Sequence, residues 1–218
     1  ACPGAEELCK LVDSHLVRWA REVGNTDVDT FIIPSDCPRF QSGDAKGLVK
    51  ASTRGDDLYI FVDPGNYSVT YQLFGYENHL SPDDHFQNLM RLIQAVAGRA
   101  HRISVIMPSL YGGRQHRRVS RESLDCAFAL QQLRDVGVKN IITFDAHDPR
   151  VMNAVPTMSF DNVMPTYQVL KCLLHHVPDV SFHKDNFMIV SPDEGAMNRN
   201  MYYSSVLGCN LGMFYKRR

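Results

Sequence analysis

Residues 102–147 constrain this chain more than any other stretch, because they run strand, loop, helix, strand without interruption. An apolar run at 103–107 leads into a glycine-rich basic loop at 111–121. Apolar residues at helical spacing then fill 123–136, and a second apolar run at 140–144 ends in Asp145-Ala146-His147. That is one βαβ unit, whose two strands run parallel with a helix crossing between them. In open parallel sheets ligands bind beyond the carboxyl ends of the strands. The loop cations and the Asp/His pair are therefore predicted to share one rim. A strongly anionic ligand with a divalent metal is the simplest occupant of such a rim.

The rest of the chain repeats the alternation. Residues 6–23 have the apolar spacing of a helix stopped by Gly24, and a short strand is expected at Phe31-Ile32-Ile33. A polar turn at 40–44 precedes strands at 48–49 and 58–62, with Arg54-Gly55-Asp56-Asp57 read as the hairpin turn between them. The aromatic stretch 66–78 is expected to be irregular. Ser81-Pro82-Asp83-Asp84 is a helix start, with a capping serine, proline at the first helical position and carboxylates in the first turn; the helix ends near Gly98. Beyond 147 the spacing predicts a strand at 158–160, a helix at 165–176, a strand at 187–190, a helix at 197–207 stopped by Gly208, and a strand at 211–215. Helices alternating with strands throughout specify an α/β fold of doubly wound, mostly parallel sheets. The second half restarts the strand–turn–helix pattern but ends on a strand. The chain is thus divided into domains at 1–155 and 156–218, with the second sheet unfinished.

Net charge is -1, so any electrostatic function must be local rather than global. The basic loop offers Gly112 and Gly113, which allow close backbone approach, and Arg114, Arg117 and Arg118, whose forked donors match phosphate oxygens. Charge alone leaves a solvated basic loop equally open. A nucleic-acid surface would interleave aromatics with the cations, and this loop does not. Asp145 and His147, at alternate positions past a strand end, suit a shared divalent ion or a purely structural pair. Asp193 lies in Ser191-Pro192-Asp193-Glu194-Gly195, where a helix N-terminus makes either an anion nest or a cap. The other histidines, His116 among them, show no metal-ligand spacing. The six cysteines form no CxxC pair, which favours free thiols in a reducing cytosol. No apolar run approaches the roughly 20 residues of a membrane helix, and the start has no signal-peptide pattern, so a cytoplasmic protein without membrane partners is expected.

Taken together these motifs resemble the ribose-phosphate pyrophosphokinase (PRPP synthetase) family over nearly the whole chain. Residues 108–121 resemble that family's Pro-x-x-x-x-Ala-Arg-Gln-Asp ATP loop, with Arg114-Gln115 in the matching place. Asp145-Ala146-His147 matches its Asp-Leu-His, and Ser191-Pro192-Asp193 its Ser-Pro-Asp-x-Gly-Gly. Residues 40–55 keep the register of its Phe-x-Asn-x-Glu…Arg-Gly segment. Lys216 and Arg218 match the basic residues of its mobile loop.

The resemblance implies a phosphoribosyltransferase-like fold of two similar domains and a magnesium-dependent transfer of the diphosphoryl group of ATP to ribose 5-phosphate. It casts Lys216 and Arg218 as catalytic, and Phe40, Ser42, Asp44, Arg114 and Gln115 as ATP-binding. His147 and Asp193 become metal ligands, and Ser52, Arg54 and Arg199 a regulatory phosphate site. A homo-oligomer, hexameric by resemblance, follows because the family builds its ATP site across subunits. The departures are Ser42 and Asp44 for Asn and Glu, His116 for the Asp after Arg-Gln, and Gly195-Ala196 for Gly-Gly. Family chains also continue through a ribose-phosphate loop not present here, which leads one to expect a fragment of a longer polypeptide. The alternative is a catalytically inactive, nucleotide-binding regulatory subunit; a phosphoribosyltransferase is disfavoured by the missing loop.

Overall fold

The computed structural model describes residues 1–177 and 179–215, and the chain divides into two compact units, Ala1–Val163 and Met164 onward. In the first unit, strands β3 (Asp57–Phe61), β6 (Arg102–Ile106), β7 (Val138–Phe144) and β8 (Ser159–Val163) form one sheet in that order, and every neighbouring pair is parallel. Helix α1 (Glu6–Glu22) precedes the sheet, α2 (Pro82–Val96) links β3 to β6, and α3 (Asp125–Asp135) links β6 to β7. A single 3-10 turn, Pro149–Ala154, completes the passage to β8.

Strand alternation sends consecutive residues to opposite faces. Ile60 and Val62 join Val105 and Ile141 under Leu89, Ile93 and Val96 of α2 and Leu130 and Leu133 of α3. Phe61 and Ile106, one residue out of phase, meet Ala5 and Cys9 of the α1 segment on the other face. Both faces are thus covered, as a parallel sheet requires. The chain is an α/β protein with a parallel sheet, as expected. In the second unit, α4 (Thr166–His176) precedes a single βαβ unit. Its strands β9 (Met188–Ser191) and β10 (Asn210–Met213) pair in parallel, and α5 (Met197–Leu207) lies between them in sequence. No helix among the described residues is long and apolar enough to cross a membrane.

Three expectations are corrected. Residues 31–33 form no strand: Phe31 N–H bonds the Asp13 carboxylate at 2.7 Å and Ile32 N–H bonds Thr30 Oγ1 at 3.0 Å, so side chains satisfy this backbone. The nearby strand is β1 (Ser35–Asp36), antiparallel to β2 (Leu48–Val49). Arg54-Gly55 does turn, with Gly55 at φ 82°, but not as a hairpin, because β2 pairs with β1 while β3 pairs with β6. The aromatic stretch holds an antiparallel hairpin, β4 (Thr70–Leu73) and β5 (Tyr76–His79). Its turn residues Phe74 (φ 50°) and Gly75 (φ 86°) both have positive φ, the backbone that matches strand twist. The break between units falls after Val163, because 159–163 is the edge strand of the first sheet.

The start of α2 is the best-built junction. Ser81 Oγ accepts from Asp84 N–H at 3.2 Å and the Asp84 carboxylate accepts from Ser81 N–H at 2.9 Å, a reciprocal capping box. Asp84 also accepts from Arg39 at 2.7 Å, and that arginine side chain is only 11% exposed. Burial works to raise the Asp84 carboxyl, but its bonds from Ser81 and Arg39 outweigh it and hold the group below its ordinary value. Asp84→Ala should therefore destabilise the unit by about 2–3 kcal/mol at neutral pH, through a lost cap and a stranded arginine. A carboxyl held low contributes fully above its unfolded pKa, about 3.9, and the contribution is lost as pH falls through the folded value. Urea unfolding of wild type and variant should show a gap that narrows below about pH 4; a gap independent of pH would refute the ion-pair account.

Candidate functional site

Parallel strands deliver the carboxyl ends of β6 and β7 to the same rim. Past β6 the chain turns sharply at residues 111–114, with Gly112 at φ 65°. A Cβ at Gly112 would stand 3.0 Å from Cys126 N, so the glycine lets the loop lie against the first turn of α3. Gln115 closes the turn, its N–H bonding Gly112 O at 2.7 Å and its carbonyl facing Cys126 N–H at 3.4 Å. Arg114 and Gln115 are exposed, as are Arg117, Arg118 and Arg121. The loop therefore presents its cations to solvent while its backbone is tied to the helix behind.

Tyr111 anchors the loop's near end. Its ring stacks on Phe86 with centroids 4.5 Å apart, and its hydroxyl donates to Asp83 at 2.7 Å. Burial, reinforced by that carboxylate, pushes the Tyr111 phenol up to about 12, so it remains a donor. Asp83 and Asp84 thus grip two segments from adjacent positions of the α2 first turn, the loop through Tyr111 and the 39–45 turn through Arg39.

Beyond β7, Asp145 adopts φ 46°, and its N–H bonds Val163 O at 3.1 Å. Ala146 N–H is held by Asn162 Oδ1 at 2.9 Å. His147 projects into solvent with its ring edge-on to His116, centroids 5.1 Å apart. This contact joins the basic loop to the Asp-Ala-His segment. His116 Nε2 stands 3.7 Å from Asp148 Oδ2, and Arg150 grips Asp148 through Nε at 2.9 and 3.1 Å. Those hydrogen bonds from Arg150 hold the Asp148 carboxyl well below the usual carboxylate range.

The structure thus brings Arg114, Gln115 and His147 to one rim. Phe40, Ser42 and Asp44 gather in a separate turn, where Ser42 Oγ bonds Asp44 Oδ2 at 2.8 Å and Phe40 N–H bonds Asp44 O at 2.8 Å. Ser52 and Arg54 line a hollow of about 420 Å³ with Lys50 and Arg99. Arg99 could not be found from the sequence because it is remote from Ser52 along the chain. Arg199 and Asp193 belong to the second unit. There Asp193 caps a short 3-10 turn, its Oδ1 accepting from Ala196 N–H at 3.1 Å. Lys216 and Arg218 lie outside the described residues. The His116–Asp148–Arg150 cluster was also missed, since its members show no motif spacing.

A divalent cation fits the rim in one respect. Among the described residues no three His, Cys, Asp or Glu side chains converge on a metal-sized point. An ion carried by a nucleotide, however, needs only one or two protein ligands, with phosphate and water oxygens supplying the rest. His147, an exposed imidazole at the loop, meets that need.

Residues 4–137 match the family model for the N-terminal domain of ribose phosphate pyrophosphokinase. Ribose-phosphate pyrophosphokinase A of Dictyostelium discoideum is 24% identical over 182 residues, covering 83% of this chain and 51% of that protein. Its counterpart from Maricaulis maris is 24% identical over 195 residues, covering 88% and 56%. The crystal structure of phosphoribosylpyrophosphate synthetase from Mycobacterium smegmatis superposes with a TM-score of 0.71 at 20% identity, covering 91% of this chain and 59% of that one. The chain spans about half the length of the curated relatives it matches. It belongs to the ribose-phosphate pyrophosphokinase family, which it matches through that family's N-terminal domain.

Proposed function

We propose that this chain is part of a ribose-phosphate diphosphokinase, which transfers the diphosphoryl group of ATP to ribose 5-phosphate and yields PRPP and AMP. The observation that carries the reading is the meeting of the cationic loop with the Asp145–His147 segment on one rim. Transfer of this kind depends on positioning and charge neutralisation rather than on a covalent intermediate. Arg114 would fork onto ATP phosphate oxygens and Gln115 would orient them. Phe40, exposed on its turn, would flank the adenine of a neighbouring subunit's ATP in a homo-oligomer. His147 and Asp193 are each cast by resemblance as ligands of magnesium, which when bound neutralises phosphate charge. Lys216 and Arg218 would close over the transferring group. The hollow holding Ser52, Arg54, Lys50 and Arg99 suits a regulatory phosphate; Arg199 is cast in that role by resemblance alone. A cytoplasmic location completes the proposal.

A second reading, a regulatory subunit without turnover, is favoured by the turn at 40–45. There Ser42 and Asp44, which stand where the family pattern has Asn and Glu, bond each other at 2.8 Å.

The first test assays the complete natural polypeptide with ATP, magnesium and ribose 5-phosphate. AMP release that depends on ribose 5-phosphate is expected; ATP binding with no release would favour the regulatory subunit. Within an active protein, Lys216→Ala should lower the rate roughly a hundredfold or more and leave ATP binding intact. An unchanged rate would remove Lys216 from the catalytic set. Arg54→Ala should abolish any response to inorganic phosphate while leaving the rate in its absence unaltered, measured by titrating phosphate into the same assay.

A further inference from the structure

The histidine at 116, set aside when the sequence was read for metal-ligand spacing, has the geometry of a ligand. Its ring and that of His147 are 5.1 Å apart between centroids and inclined by 71°. An imidazole nitrogen binds a first-row ion at about 2.0–2.1 Å, which places the ring centroid about 3.2 Å from the metal. Two rings meeting one ion at a near-tetrahedral angle then have centroids roughly 5 Å apart. Edge-on ring contacts fall in the same range, so the spacing alone does not decide.

Two further observations favour a ligand role. His116 Nδ1 is buried and has no hydrogen-bond partner, whereas buried polar atoms are generally satisfied. Its other nitrogen, Nε2, faces Asp148 Oδ2 at 3.7 Å, and Arg150 clamps that carboxylate. Metal-binding histidines commonly turn their second nitrogen to a carboxylate, which fixes the ring's orientation. His116 has the supporting carboxylate in place and one nitrogen unused.

We propose that His116 and His147 together bind one divalent cation, and that the paired imidazoles select a nitrogen-preferring transition metal of the cobalt or zinc class over magnesium. Imidazole suits such ions, while magnesium prefers oxygen ligands. The proposal rests on the reading of His147 as a metal ligand and departs from that reading in the metal. Water or phosphate oxygens would complete the coordination. Asp148 and Arg150 act as positioning residues that hold the His116 ring.

The test titrates the complete polypeptide with cobalt(II) alone, without nucleotide, and reads visible absorption for affinity. X-ray absorption at the cobalt edge counts the imidazoles, whose rings give multiple-scattering features. Two imidazoles per bound ion are expected, with tenfold or weaker binding in His116→Ala and in Asp148→Asn, and cobalt retained against excess magnesium. One imidazole or none, His116→Ala binding as tightly as wild type, or displacement by equimolar magnesium would each overturn the proposal. The ring count uses the wild-type protein, so it decides the matter even if the variants misfold. AMP release is scored separately: two imidazoles on cobalt with no AMP formed would keep this cation site and remove the synthetase reading.

Discussion

The direction of the four strands is the constraint on which the first unit depends. Because β3, β6, β7 and β8 all run the same way, each connection must return across the sheet. Every segment leaving a carboxyl end therefore begins at one rim, and the basic loop and Asp145-Ala146-His147 have no other place to start. The burial that enforces this is ordinary: Ile60, Val105 and Ile141 on three adjacent strands are at most 5% exposed beneath α2 and α3. What makes the rim specific is the first turn of α2. Its consecutive carboxylates at 83 and 84 hold Tyr111 and Arg39, so the loop and the 39–45 turn share one rigid support.

The features legible in the sequence are those decided locally. Ser81-Pro82-Asp83-Asp84 carries its own capping chemistry, and the cap forms as read. The βαβ unit was legible because its apolar runs switch period cleanly between strand and helix. What failed depended on partners far along the chain. Apolar Phe31-Ile32-Ile33 reads as a strand until Asp13 takes one of its backbone donors. Arg54-Gly55 reads as a hairpin turn until Arg102, not Val49, proves to stand beside the start of β3. The 70–79 hairpin hid behind an unusual turn pair, because Phe74 at positive φ is not a residue that announces such a turn. In the candidate site, Arg114, Gln115 and His147 were found by position relative to strand ends. Arg99 and the pairing of Asp148 with His116 were not, because only folding brings them to their partners.

Charge is distributed with some economy. The chain carries a net charge of -1, yet the arginines at 114, 117, 118 and 121 stand exposed on one loop. Elsewhere arginines are committed: Arg39 to Asp84, Arg102 to Asp57 and Arg150 to Asp148. Of these, only the exposed Arg102–Asp57 pair adds little stability, and its chief effect is on fields. Asp83 and Asp148 meet the loop only at Tyr111 and His116, so its exposed arginines keep a positive potential available to an anion.

His116 is best understood through what surrounds it. An aspartate, which the family resemblance leads one to expect there, would put a second carboxylate on the side of Asp148, whose Oδ2 lies 3.7 Å from His116 Nε2. Neighbouring carboxylates repel, which raises the cost of ionising both. Imidazole removes the conflict: it approaches Asp148 without like-charge repulsion, and its second nitrogen remains available on the buried side. Asp148 in turn needs Arg150, since a carboxylate only 13% exposed is costly without a cation beside it. The three residues therefore form one arrangement. Position 116 cannot be returned to a carboxylate without also disturbing 148 and 150, so the difference from the family pattern extends from a single side chain to the whole edge of the rim.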